Sequence, residues 1–290
     1  MKVAGLRRLG ATVKFCEPTQ AVREAACAAA VERFRASGAA AHVVPSSNDA
    51  LVIAGQGTLG LEILQDAPAI DAIVAPVGGG GLLAGVATAA AHTACCSRGP
   101  SAADGTRNDT RVRGVKGVSR NTRVVGAEPL NADDAARSLA AGPRQSEPLP
   151  HRPGMPDTIA DGLRACVSRR TLAIMRGRVD RVVTVTEEEI RAAVTLVYDH
   201  LKLVVEPSAG VGVAVALLPR FRPLREREGW RRVVVVLCGG NVDLADLPAL
   251  LVPDAETAAP APSPAVAPAR GSSAADPAEL AARARLASKL

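Results

Sequence analysis

Residues 76–86 read PVGGGGLLAGV, four consecutive glycines between an apolar run and a small-residue helical pattern. Without side chains, successive backbone N–H groups can turn into one hollow, and the helix that follows adds the positive end of its dipole. An anion, above all a phosphate, suits such a hollow. A nucleotide suits it less, because the P-loop form ends in GK[ST] whereas Gly81 is followed by Leu82, and GGGGLLAG meets GxGxxG only by being mostly glycine. Close packing of a helix on a strand would ask for one or two glycines rather than four. A second group of polar residues lies in AEPLNADD, at 127–134, where Asn131, Asp133 and Asp134 read from their types as caps at a helix N-terminus. Glu206, in VVEPSAG, reads equally as a capping carboxylate or as part of a site, and Cys238 as a small buried residue at a strand end. Lysines, the usual amine nucleophiles, are few: Lys2, Lys14, Lys116, Lys202 and Lys289.

The elements that must position these residues alternate. MKVAGLRRLG has helical spacing, ATVKFCEP alternates like a strand, and TQAVREAACAAAVERFRASG is a helix with Thr19 or its neighbours as cap and Gly38 as stop. HVVP predicts a short strand, and a helix over 58–66 follows a turn at GQG. DAIVAPV is a continuous apolar run of the kind that is buried on both faces; LLAGVATAAAHTA is a helix, TRVVGAEP the next strand. Further on, TVTEEEI carries a capping-box pattern at Thr186 and Glu189, and RRVVVVLCGGNVDL is a last buried strand. The order strand, helix, strand, helix predicts an α/β fold with a mostly parallel sheet and flanking helices. Residues 96–123 are polar, basic and aperiodic and read as a surface loop insertion; from Pro253 the chain is Ala/Pro-rich, a flexible tail.

Bulk properties narrow the partners. The net charge of +6 would admit an anionic partner, but with 2% aromatic residues the stacking platforms of single-strand nucleic-acid binding are missing. No run approaches the roughly 18 uninterrupted apolar residues of a membrane-spanning helix. The six cysteines form no CxxC pair and no Cys/His ligand spacing, which argues against a disulfide framework and a zinc site and for a reducing compartment.

PVGGGGLLAG, AEPLNADD, TIADGL, TVTEEEI, KLVVEPSAGVGVA and VLCGGNVDL occur in an order and spacing that resembles the pyridoxal-phosphate enzymes of fold type II, the tryptophan synthase β-like fold. The resemblance is to the group of serine racemase and the serine/threonine dehydratases, and it runs from about residue 2 to 245, interrupted by the insertion. It implies that Gly78, Gly79, Gly80, Gly81 and the N–H of Leu82 hold the cofactor's phosphate, that Gly162 lines the cofactor, and that Glu206 lies beside its ring. Cys238 would meet the pyridine nitrogen, where the group usually has Ser or Thr and some serine dehydratase-like members have Cys. A neutral thiol there leaves the ring a weaker electron sink, which tilts the reading from racemisation toward ammonia loss. By the same resemblance Glu128 and Asp134, with the backbone carbonyl of Ala132, would bind a divalent cation, and oxygen ligands suit Mg²⁺ or Ca²⁺. The implied substrate is a small hydroxy amino acid, serine or threonine. The implied assembly is a homodimer, or a pairing with a full-length relative.

No catalytic residue is assigned. The family's cofactor-linked lysine sits in a motif resembling SFKxRG, and none of the five lysines has that setting; the SGNHG-like loop for the substrate carboxylate and the opposite-face serine base are also missing from this sequence. The resemblance therefore implies an N-terminally truncated relative, with residues 1–42 the remnant of a small domain, 43–252 the large cofactor-binding domain and 253–290 a tail. Three expectations stay open: a piece of a longer active enzyme, a non-catalytic relative that binds the cofactor or a partner, or a remnant. Ser288, Lys289 and Leu290 form SKL, an address read by the peroxisomal import receptor, so a peroxisome-type organelle is expected first and the cytoplasm second.

Overall fold

The computed structural model describes residues 2–17, 19–96, 122–154 and 156–251. Its centre is a four-stranded parallel sheet of β1 (Ala72–Pro76), β2 (Arg123–Pro129), β3 (Arg181–Val185) and β4 (Val233–Val235), in the order β3-β2-β1-β4. Ala72 stands opposite Arg123 and Val233, and Val125 opposite Arg181, so the central pair is flanked on both sides. Alternation along the strands divides the core between the two faces: Ala72, Val74, Val125 and Ala127 pack on one side, Ile73, Ala75 and Val124 on the other. Both faces are covered. That is why AIVAP is apolar at every position and fully buried.

One face receives α7 (Glu187–Leu196), α8 (Pro207–Leu217) and α9 (Phe221–Arg227); the other receives α3 (Ala50–Asp66), α4 (Gly81–Cys96) and α6 (Arg169–Arg176). Between strands lie α5 (Asp134–Ala140) and two single-turn helices, Leu130–Ala132 and Asp161–Leu163; α10 (Leu247–Leu250) follows the sheet. The expected capping box forms, with the Thr186 hydroxyl accepting from the Glu189 N–H at 3.3 Å and the Glu189 carboxylate accepting from the Thr186 N–H at 2.8 Å. Thr19 caps the N-terminus of α2 (Gln20–Ala36), and Gly38 ends that stretch at φ +79°.

Three expectations are corrected. The glycines of GQG make no turn: α3 starts earlier, capped by Asp49, whose carboxylate accepts from the N–H of Leu51 at 2.8 Å, and runs through them. They let two helices meet, since a Cβ on Gly57 would lie 3.1 Å from the Gly85 carbonyl oxygen, and one on Gly85 would strike the Ile53 carbonyl. The strands expected in ATVKFCEP and HVVP do not form, and Phe15, Val43 and Val44 are exposed. A strand needs a partner edge, and none of the four strands lends one to these segments. Neither α1 (Lys2–Arg8) nor α2 contains a buried residue among those described. The insertion, except for its ends, and the tail with Ser288, Lys289 and Leu290 lie outside the described residues. No described helix is long and apolar enough to cross a membrane.

Candidate functional site

The glycine loop joins β1 to α4 at the carboxyl end of the sheet, where parallel strands place their ligands. Its carbonyls are tied down: Gly79 C=O accepts from the Thr171 hydroxyl at 3.0 Å, and Gly80 C=O accepts from the Ala84 N–H at 2.9 Å. A trans peptide points its N–H opposite to its C=O, so these bonds turn the Gly80 and Gly81 N–H groups the other way. Among the described residues, the N–H groups of Gly78, Gly79, Gly80, Gly81 and Leu82 donate to no acceptor. They stand at the N-terminus of a 16-residue helix. Five unclaimed amides at a helix start make an anion seat.

The glycine count itself proves less than the sequence suggested. A Cβ on Gly78 would lie 3.0 Å from Leu163 Cα, and one on Gly81 2.9 Å from Ser47 Cα. Gly79 faces the Ser47 hydroxyl, and Gly80 has φ +84° with Thr171 Oγ1 2.8 Å from its Cβ position. Packing alone thus accounts for all four. The unclaimed amides, not the glycines, carry the anion reading.

From the loop the contacts run to the other expected residues. The Gly162 N–H donates to Ser208 Oγ at 3.0 Å, and the Cβ position of Gly162 lies 3.3 Å from Glu206 Oε1. Glu206, 8% exposed at the cap of α8, receives the Asn241 N–H at 3.1 Å, and its own N–H donates to Gly239 C=O at 3.1 Å. Gly239, at φ +105°, wraps so closely that a Cβ would lie 2.6 Å from Glu206 Oε1. Its neighbour Cys238 is half-buried; burial, and next the charge of Glu206, push its thiol up, so it is a neutral thiol at neutral pH. The structure therefore joins Gly78 to Gly162, Gly162 to Glu206, and Glu206 to the Cys238–Gly239 turn. A 340 Å³ cavity adjoins Glu206 and Asp161, though no loop glycine lines it. The donor amides, the glycine surfaces and the neutral thiol fit a phosphorylated pyridine cofactor.

Lys2 was not singled out by sequence. Its ammonium donates to both Asp161 oxygens at 2.8 Å and lies 3.6 Å from Glu206 Oε2. Burial alone would lower its pKa, but the hydrogen bond to Asp161 and the charges of Glu206 and Asp161 raise it above the ordinary value. Ser47, Thr171 and Ser208 also escaped notice; nothing in their local sequence marks them, since each meets the loop or Gly162 only through the fold.

At the end of β2, Glu128 is fully buried and accepts from the N–H groups of Ala135 at 2.9 Å and Ala136 at 2.8 Å, which caps α5. Burial, and then the charge of Asp134, push its pKa well above the ordinary carboxylate range. Asp133 is paired with Arg137 at 2.8 Å and Arg152 at 2.7 Å. Asp134 Oδ2 accepts from the Val167 N–H at 2.8 Å, whereas its Oδ1 is buried with no hydrogen-bond partner among the described residues. Burial pushes Asp134 up to about 6, against the Val167 N–H and His151. A cation would relieve two buried carboxylates, so the residues fit one in part, but Glu128 is already engaged in capping. The cluster that gathers around Asp134 comprises His151 and Cys166.

A family model described as pyridoxal-phosphate dependent enzyme matches residues 1–239. Serine racemase of Bos taurus is 38% identical over 246 residues, which are 85% of this chain and 63% of that protein. Serine racemase of Homo sapiens is 37% identical over 243 residues, 84% of this chain and 61% of that protein. Among solved structures, the serine racemase from Dictyostelium discoideum superposes with a TM-score of 0.63 at 32% identity, covering 84% of this chain and 66% of the other. A threonine deaminase from T.th. gives 0.62 at 36% identity, covering 84% and 67%. The chain spans about three fifths of the length of the two curated mammalian relatives.

Proposed function

The chain belongs to the pyridoxal-phosphate dependent enzymes, and from that premise we propose that it is the cofactor-holding part of a serine racemase-like or dehydratase-like enzyme acting on a small hydroxy amino acid. The observation that carries the proposal is the set of five unclaimed N–H groups from Gly78 to Leu82. When bound, the cofactor would supply the electron sink that acidifies the substrate's Cα proton. The chain's own residues do the rest of the holding. Gly78, Gly79, Gly80, Gly81 and Leu82 would seat the phosphate, Gly162 would admit the ring face, and the neutral Cys238 thiol would meet the ring nitrogen without giving it a full charge. That last feature favours ammonia loss, in which charge on Cα is short-lived, over racemisation.

A second reading has its own support. Lys2, whose amine lies beside Glu206, is held as an ammonium by two carboxylates, which supports a chain that binds the cofactor without turning substrate over. A hard cation, Mg²⁺ or Ca²⁺, on Glu128, Asp134 and the Ala132 carbonyl is the finer part of the proposal, supported by the mutual repulsion of the two buried carboxylates.

Equilibrium dialysis of the purified chain with pyridoxal phosphate, with and without inorganic phosphate, tests the central claim. Saturable binding that phosphate competes away, and that Gly79→Asp abolishes, is expected. Binding indifferent to both would refute it. Formation of pyruvate from serine or 2-oxobutanoate from threonine, against appearance of the opposite serine enantiomer, then separates the two activities from each other and from binding alone.

A further inference from the structure

Asp134, His151 and Cys166 come from three separate stretches: the first turn of α5, the loop that follows it, and the segment after the Asp161–Leu163 turn. One donor atom from each lies within 4.8 Å of the other two. The His151 tautomer is set from outside, since Nε2 lies 3.0 Å from the Arg164 carbonyl oxygen, an atom that can only accept. Nε2 therefore carries the proton, and in the neutral ring Nδ1 presents a lone pair. That lone pair faces Asp134 Oδ1 at 3.5 Å, and both atoms are buried without a hydrogen-bond partner among the described residues. With a neutral ring and an ionised carboxylate, these would be two acceptors looking at each other across a gap. Asp134 is held in this attitude by the Val167 N–H on its other oxygen.

The gap has the size of an ion. A charge-assisted N–H···O bond would close it to about 2.7–2.9 Å, whereas two donors each about 2.1 Å from a tetrahedral ion stand about 3.4 Å apart. The outward hydrogen bond of His151 to a backbone carbonyl is the support that ligating histidines usually have. The donor set is one oxygen, one imidazole nitrogen and one sulfur, which suits a borderline cation and not Mg²⁺ or Ca²⁺.

We propose that Asp134, His151 and Cys166 form a three-ligand site for a divalent transition-metal cation of the Zn²⁺ class. On binding, the Cys166 thiol gives its proton to solvent and its sulfur lone pair to the metal; no electron changes hands. The site competes with the hard-cation reading for Asp134 but uses neither Glu128 nor the Ala132 carbonyl, and it does not depend on the cofactor. It also braces the glycine loop. Val167 follows Cys166 and its Cγ1 lies 3.4 Å from the Cβ position of Gly80, so the metal would fasten the segment on which that loop rests.

The test uses the full chain with Cys16, Cys27, Cys95 and Cys96 replaced by Ser, stripped of metal and titrated with Co²⁺. One equivalent should bind with a thiolate-to-cobalt charge-transfer band and tetrahedral ligand-field absorption, Zn²⁺ should erase both, and a large excess of Mg²⁺ or Ca²⁺ should erase neither. Cys166→Ser should remove the charge-transfer band, and His151→Ala should weaken Co²⁺ at least about tenfold. Absence of the band from the parent protein, its persistence in Cys166→Ser, its loss to Mg²⁺, or unchanged affinity in His151→Ala would each overturn the proposal. Should Cys166→Ser not fold, the parent spectrum and the His151→Ala affinity decide. Loss of cofactor binding in Gly79→Asp leaves all of these readouts in place, so the two proposals fail separately.

Discussion

Replacing Asp134 with Asn should stabilise the metal-free chain at neutral pH, unusually for a change at a fully buried polar site. In the folded state burial lifts the Asp134 pKa from 3.8 to about 6. A carboxyl group with a raised folded pKa contributes stability below its unfolded value and loses it as pH rises through the folded one. The shift is about two units, and at about 1.4 kcal/mol per unit the ionised group costs about 3 kcal/mol above pH 7. Asn keeps an oxygen for the Val167 N–H, and its amide can donate to the His151 Nδ1 that now lacks a partner. Against this stands the loss of a charge in the first turn of α5, about 0.3–1 kcal/mol. The net gain is about 2 kcal/mol at pH 8. Because roughly half of the penalty has already developed by pH 5, the gain should shrink by about 1.5 kcal/mol there. Urea unfolding followed by Trp230, the only tryptophan, buried and packed on Phe221 at 6.2 Å between ring centres, reports it directly. A variant that is less stable than the parent at pH 8, or whose advantage does not change with pH, would refute the reasoning. With Zn²⁺ present the order should invert, since only the parent retains the carboxylate ligand.

Gly80→Ala should cost about 1–2 kcal/mol in the same assay, because φ +84° is a left-handed conformation and the new methyl would meet Thr171 Oγ1 at 2.8 Å. Thr186→Ala removes the hydroxyl of a capping box and should cost about 1 kcal/mol, with no change in cofactor affinity by dialysis. Cys238→Ser replaces one neutral group by another and should leave pyridoxal-phosphate affinity within about threefold, whereas Cys238→Asp, placing a charge beside Glu206, should weaken it more than tenfold. Borohydride treatment of the chain mixed with pyridoxal phosphate near pH 7, followed by peptide mass mapping, should find no pyridoxyl label on Lys2. A labelled Lys2 would show that its amine is free to react.

The sheet was legible because its evidence is local. AIVAP and RVVGAEP are apolar along most of their length, and only burial on both faces makes that pattern tolerable. Thr186 and Glu189 sit at the spacing a capping box requires, and Thr19 and Gly38 mark the ends of α2. What failed depends on partners distant in sequence. Val43 and Val44 look like strand residues, but a strand exists only where another offers its edge. Gly55 and Gly57 look like a turn, yet α3 carries Gly57 as a contact surface for Gly85. Asp134, His151 and Cys166 follow no ligand spacing and are brought together only by the fold.

The expected site residues divide by what positions them. Gly78 meets Gly162 and Leu163 through main-chain surfaces, and Gly162 and Gly239 both close on the Glu206 carboxylate, so tightly at Gly239 that a Cβ would lie 2.6 Å from Oε1. Such a surface suits a rigid, flat ligand. The groups near it that could carry protons are set against that task at neutral pH: Cys238 is kept neutral by burial and by Glu206, and Lys2 is kept charged by Asp161 and Glu206. Glu206 has a part in both effects. One buried carboxylate thus adds to the burial that keeps the thiol neutral and to the Asp161 bond that keeps the amine charged. Removing the Glu206 charge should therefore lower the Cys238 and Lys2 pKa values together, while burial still holds the thiol neutral and Asp161 still holds the ammonium.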